Sequence, residues 1–216
     1  MTTAIPHPHP DLPTTSTAVR AIEYVHACES ESVANHSVRS YLFAALFAEH
    51  EGLRPQVDFD PELLFLACVL HDLGTSPGAP GKQRFEVEGA DLAAEFLSGH
   101  GVAAAHVDSV WEAIALHTSA GIAERRGVLT HLTRRGIGLD FGRDAEFVTD
   151  AQGQAIHARY PRLRMAATLT DEIVRHAERG AGNAPRYTLA GELVRERRET
   201  GLTDMERQAA AARWGE

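Results

Sequence analysis

Leu63-Leu64-Phe65-Leu66-Ala67-Cys68-Val69-Leu70-His71-Asp72-Leu73-Gly74 is apolar at almost every position until it reaches a histidine and an aspartate. A helix this hydrophobic on all sides must be buried. It carries two adjacent polar side chains into the interior, where an unpaired aspartate is costly and a cationic partner is expected. Asp60-Pro61-Glu62 opens the helix with an N-cap, a proline at the first helical position and an acid on the positive end of the dipole. Gly74 is the expected terminator.

Toward the N-terminus, Asn35-His36-Ser37-Val38-Arg39-Ser40-Tyr41-Leu42-Phe43-Ala44-Ala45-Leu46-Phe47 has the pattern of a second buried helix. Asn35 suits its N-cap and Gly52 its terminator, which puts His36 in the first turn. A helix over Thr17 to Glu29 precedes it, with Ala18, Ile22 and Val25 on one side. Residues 1–15 are rich in proline, with two His-Pro pairs, and are expected to form a flexible tail ahead of a single domain over 16–216. His7 and His9 are expected to be solvated.

Toward the C-terminus, residues 75–83 form a proline- and glycine-rich loop, either a linker or a lid over the site. Helical spacing resumes over Phe85 to Leu97 and Ala104 to Leu116, the latter leading into His117-Thr118-Ser119. A short helix from Val128 leads to Gly136-Ile137-Gly138-Leu139-Asp140-Phe141-Gly142, and residues 142–160 look irregular. Leu163, Met165, Ala166, Leu169, Ile173 and Val174 restore the helical period, with further helices over Leu189 to Arg198 and Thr203 to Trp214. No stretch has the pattern of a strand or an internal repeat. The expected fold is all-α.

The 216 residues, 44% hydrophobic and 24% charged, match one soluble domain. No apolar run approaches the roughly 20 residues of a membrane helix. A net charge of -9 argues against nucleic acid and for a small-molecule partner. Cys28 and Cys68 imply no disulfide framework. The N-terminus lacks a basic segment followed by an apolar one, so cytoplasm is the expected location. A homo-oligomer is left open.

His36, His71, Asp72 and Asp140 all lie in or beside apolar helical sequence. Singly, each reads more simply as a hydrogen-bonded core histidine or a cap. Together, imidazole and carboxylate suit zinc, iron or manganese, and three or four ligands with an open position describe a catalytic site.

The order His, then His-Asp, then Asp resembles the HD-domain metallohydrolases, an all-α superfamily, and implies an HD-domain helical bundle. More narrowly, Asn35-His36-Ser37-Val38-Arg39, Leu70-His71-Asp72, Phe85-Glu86, Trp111-Glu112-Ala113-Ile114, Leu139-Asp140 and Tyr160-Pro161-Arg162-Leu163 resemble the cyanamide hydratase branch. The resemblance spans about residues 30–175. It implies His36, His71, Asp72 and Asp140 as ligands of a divalent metal ion, zinc first, and hydration of cyanamide to urea by metal-activated water. Phe85 stands where two-metal relatives place a histidine, which favours one ion. Asp72 and His117 are the expected catalytic residues, Asp72 accepting a hydrogen bond from the metal-bound water and His117 either the proton donor to nitrogen or a buried histidine satisfied by backbone. Thr118, Glu86 and Arg84 are candidates to hold the substrate. Asp171 rivals Asp140 as fourth ligand. The alternatives are a phosphohydrolase of nucleotides or other phosphomonoesters, for which Arg39, Lys82 and Arg84 are the obvious cations, and a regulatory domain without catalysis.

Overall fold

The computed structural model describes residues 9–215, and among these ten α-helices and no strand form. They are α1 (Ser16–Cys28), α2 (Glu31–His50), α3 (Pro61–Val69), α4 (Phe85–Gly99), α5 (Ala104–Ala115), α6 (Val128–Asp140), α7 (Asp150–Arg159), α8 (Met165–Ala177), α9 (Leu189–Thr200) and α10 (Asp204–Ala211). The all-α expectation holds. Helices α1 to α6 enclose the larger apolar cluster; α8, α9 and α10 close a smaller one with Val33, Phe85 and Phe141. No helix among the described residues is long and apolar enough to cross a membrane.

Helix α3 opens as its sequence dictates, with Asp60 accepting from the Glu62 and Leu63 N–H groups, and every residue from Leu64 to Val69 is buried. It ends earlier than its apolar run suggests. Leu70 is the C-cap, His71 and Asp72 lie in the following turn, and a 3-10 turn covers Leu73–Thr75. Leaving the helix has a purpose, because consecutive helical side chains do not face each other. In the turn, His71 Nδ1–H donates to Cys68 O at 2.7 Å and Thr75 Oγ1 donates to Asp72 O at 2.9 Å. Gly74 is therefore not a terminator. A Cβ there would overlap the Phe85 carbonyl oxygen, so the glycine lets the turn seat against the start of α4.

Helix α2 starts four residues before the expected cap, after Ser30. Asn35 lies inside it and donates to Pro161 O at 3.1 Å. Helix α6 runs on through Gly136, where a Cβ would overlap Ser40 O and the Ala44 side chain of α2. That close crossing brings the end of α6 to His36 and Arg39.

Residues 142–160 are not irregular throughout. Thr149 and Gln152 form a capping box that opens α7. The 75–83 loop is tied down, because Glu88 on α4 accepts from the Gly81, Lys82 and Gln83 N–H groups and from His176. Part of the expected tail also packs: Leu12 lies against the core and Asp11 O accepts from Tyr41 Oη. Residues 1–8 of that tail, with His7, lie outside the described residues.

Candidate metal centre

His36 from α2 and His71 with Asp72 from the turn after α3 bring one ligand atom each within 4.8 Å of one another, all buried. Asp72 Oδ2 lies 3.0 Å from His71 Nε2 and 3.8 Å from His36 Nε2. Both imidazoles are oriented from behind. His36 Nδ1 donates to Asp140 Oδ2 at 2.6 Å, and His71 Nδ1 donates to Cys68 O. Each neutral ring therefore keeps its Nε2 lone pair for the cluster.

A cation fits this cluster. His36 Nε2 and Asp72 Oδ2 are buried polar atoms with no hydrogen-bond partner, and two lone pairs facing a carboxylate oxygen call for a positive charge between them. Without one, a proton serves. Burial works against charge on His71, but Asp72 outweighs it and raises the His71 pKa above the usual histidine value. Burial likewise opposes ionisation of Asp72, while His71 and His36 hold its carboxyl down at about 2. His36 goes the other way, its pKa lowered chiefly by burial.

Asp140 stands on the opposite side of the His36 ring from this cluster. Its carboxylate accepts a forked pair from Arg39, Nε to Oδ1 at 2.7 Å and Nη2 to Oδ2 at 2.8 Å. Arg162 Nη1 donates to the Asp140 carbonyl at 2.7 Å. Burial penalises the Asp140 charge, yet Arg39 with the His157 and His36 hydrogen bonds holds its pKa well below the usual carboxylate range. Expected as the fourth ligand, Asp140 is instead the carboxylate of a carboxylate–histidine pair, with its oxygens committed to His36 and Arg39. Arg39, fully buried, also donates to Tyr160 O and Pro161 O, so the Tyr160-Pro161-Arg162 segment braces this side of the centre. Asp171 faces solvent and pairs with Arg197 at 2.8 Å, which removes it as a rival ligand.

A cavity of about 340 Å³ opens from the cluster, lined at its inner end by His36, His71, Asp72, Phe85, His117 and Thr118. The His117 ring stands edge-on to His71 at 4.9 Å and to Phe85 at 5.7 Å. Its Nδ1 donates to Ile114 O at 2.7 Å, leaving Nε2 as an acceptor. Burial first, and then His71, depresses its pKa to about 4. It is neutral at pH 7, so it must take up a proton before it can give one. Thr118 lines the cavity, whereas Glu86 and Arg84 stand behind it: Glu86 Oε1 accepts from Thr118 Oγ1 at 2.6 Å and from Arg84 Nη2 at 2.7 Å. These two position Thr118 and do not reach the cavity.

Sequence reasoning did not anticipate the outer wall. Leu169 and Ile173 of α8, Leu189 and Met205 complete it, together with Arg134, Arg135, Arg143, Glu124 and Asp144 at the mouth. The apolar period of α8 was visible, but which surface it faced depends on how the C-terminal helices fold back.

A model of the HD domain family matches residues 33–179. The chain is also similar to the cyanamide hydratases DDI2 and DDI3 of Saccharomyces cerevisiae, each 28% identical over 158 residues that cover 70% of this chain and 68% of the relative. The matched span contains His36, His71, Asp72, His117 and Asp140, and with the helical bundle and its histidine-aspartate centre it shows that this chain belongs to the HD domain family.

Proposed function

We propose that this protein is a metal-dependent hydratase or hydrolase of a small nitrogen compound, with cyanamide to urea as its model reaction. The observation that carries the proposal is the convergence of His36 Nε2, His71 Nε2 and Asp72 Oδ2 at the inner end of a cavity that also holds the neutral His117 ring. The similarity to the two yeast cyanamide hydratases supports the choice of substrate. The alternative phosphohydrolase reading loses two of its three cations, since Arg39 is committed to Asp140 and Arg84 to Glu86.

His36, His71 and Asp72 would hold a divalent ion, zinc by their ligand types, and when bound it would supply an electrophile and lower the pKa of water to about 7. The residues supply the rest. Asp140, through His36 Nδ1, fixes the ring so that Nε2 points to the cluster. His117 accepts a proton as water oxygen bonds to the nitrile carbon, and returns it to the nitrogen. A second proton shift gives the amide, so one water is consumed and nothing leaves. Thr118, held by Glu86, offers its hydroxyl oxygen to the amino end of the substrate. Phe85, fully buried beside His117, puts an apolar ring where ligands of a second ion would stand, which favours one ion. Two unpaired thiols agree with a reducing, cytoplasmic setting.

The experiment is metal analysis of the purified protein together with a panel of cyanamide, nitriles, nucleotides and phosphomonoesters. One equivalent of metal and urea formation are expected. Phosphate release from a nucleotide, with cyanamide untouched, would replace this reading with the phosphohydrolase.

A further inference from the structure

The cavity is much larger than cyanamide needs. Three heavy atoms occupy roughly three water volumes, about 90 Å³, in a space of about 340 Å³. The remaining length is patterned. Beside the histidines the lining is apolar, with Leu169, Ile173 and Met205, and its other charged groups are three arginines, Arg134, Arg135 and Arg143, against two acids, Glu124 and Asp144.

The three arginines at the mouth are not equivalent. Arg134 pairs with Glu124 at 2.6 Å and donates to His117 O at 2.7 Å. Arg135 pairs with Asp144 at 2.7 Å. Arg143 makes no ion pair or side-chain hydrogen bond among the described residues; the acid that attracts it, Asp144, is already bonded to Arg135, and Arg134 repels it. Its backbone is nonetheless fixed. Gly142, at φ +80°, closes α6 with Gly142 N–H on Leu139 O and Arg143 N–H on Gly138 O, the paired bonds of a Schellman turn. In a chain of net charge -9, a guanidinium with no hydrogen-bonded acid, on a fixed backbone beside an apolar cavity, marks a place for an anion.

We propose that the natural substrate carries a carboxylate at the end of an apolar chain, bound by Arg143, with its reacting carbon–nitrogen group at the His36-His71-Asp72 cluster. In its choice of reacting group this rests on the hydratase reading above. A single unpaired guanidinium matches a monoanion, whereas a phosphate dianion calls for more than one such partner.

The test is calorimetric titration of zinc-loaded protein with a medium-chain ω-cyanoalkanoate and the matching ω-cyanoalkanamide, alongside turnover of both. The wild type is expected to bind the carboxylate about tenfold more tightly than the amide. Arg143→Gln should bring that ratio to about one, and Arg143→Lys should keep part of it. Arg143 lies at the surface, so neither variant threatens the fold. A carboxylate preference that survives Arg143→Gln would mean that the acid binds at the metal, and would overturn the assignment, as would its absence in the wild type. A preference lost with Arg143 but without turnover of any nitrile would sink the hydratase reading and leave the anion site standing. Turnover without the preference would do the reverse.

Discussion

Asp140 Oδ2 lies 2.6 Å from His36 Nδ1 on one side of the imidazole, while Asp72 Oδ2 lies 3.8 Å from Nε2 on the other. The ring is held between an acid that orients it and an acid that would share a cation with it. Asp140→Asn removes the orienting charge at nearly constant volume and is expected to weaken metal affinity about 10- to 100-fold. Asp140→Ala also leaves Arg39 buried and unpaired, at a cost of about 3–5 kcal/mol. Chelator competition and denaturant melts measure the two effects. X-ray absorption of zinc-loaded Asp140→Asn should show the same ligand shell as the wild type; a missing oxygen ligand would make Asp140 a direct ligand after all.

His71→Ala and Asp72→Asn should each abolish stoichiometric metal binding and, with it, hydration. The metal competes with the proton that Asp72 favours on His71, against the opposing effect of burial. Metal affinity should therefore fall as pH is lowered through the raised His71 value, by up to about tenfold per pH unit for one displaced proton. Titrations across the range from about pH 8 to about pH 5 measure the slope. A flat profile would show that His71 carries no such proton.

Glu29 is buried with neither carboxylate oxygen partnered. Burial, and then the charges of Asp72 and Glu172, raise its pKa well above the ordinary value. The folded state thus binds this proton more tightly than the unfolded state. The contribution to stability is full below the unfolded value of about 4.3 and is lost as pH rises through the folded value. Glu29→Gln should consequently raise the Tm of metal-free protein at about pH 8, with the gain shrinking toward about pH 4. Equal Tm for both proteins at alkaline pH would show that Glu29 has a counter-charge.

Glu88 holds the loop after the metal turn through three N–H groups and His176. Glu88→Gln is expected to speed amide exchange at residues 81–83 and to cost about 1–3 kcal/mol. Hydrogen exchange by mass spectrometry reads the first effect and thermal melts the second. Unchanged exchange would mean that other contacts hold the loop.

Much of the centre was legible in the chain because its parts are local: a hydrophobic run ending in His71-Asp72 and a histidine at the buried start of α2. Helix ends were less so. Asn35 has the chemistry of a cap, but Ser30 also has it, and the choice follows from Asn35 finding Pro161 O, 126 residues away in the chain. Asp140 is legible as an acid between apolar residues, but its contact with His36 Nδ1 is not. Whether it faces the ion or His36 Nδ1 depends on the distance at which α6 crosses α2, and Gly136 sets that distance against Ser40 and Ala44. The Thr149-Gln152 capping box that opens α7 is a local signal, set in a stretch whose composition otherwise looks irregular.

Arg39 has a consequence for the lifetime of the empty protein. The charge of Asp140 is answered by a guanidinium that belongs to the chain, and a proton between His71 and Asp72 answers the other acid. The scaffold is electrically balanced before an ion arrives. Stripping the metal should then silence the protein without melting it, so the apo form persists and can be reloaded. Loss and return of the ion would then leave the fold intact, unlike small zinc domains that exist folded only while the ion stays.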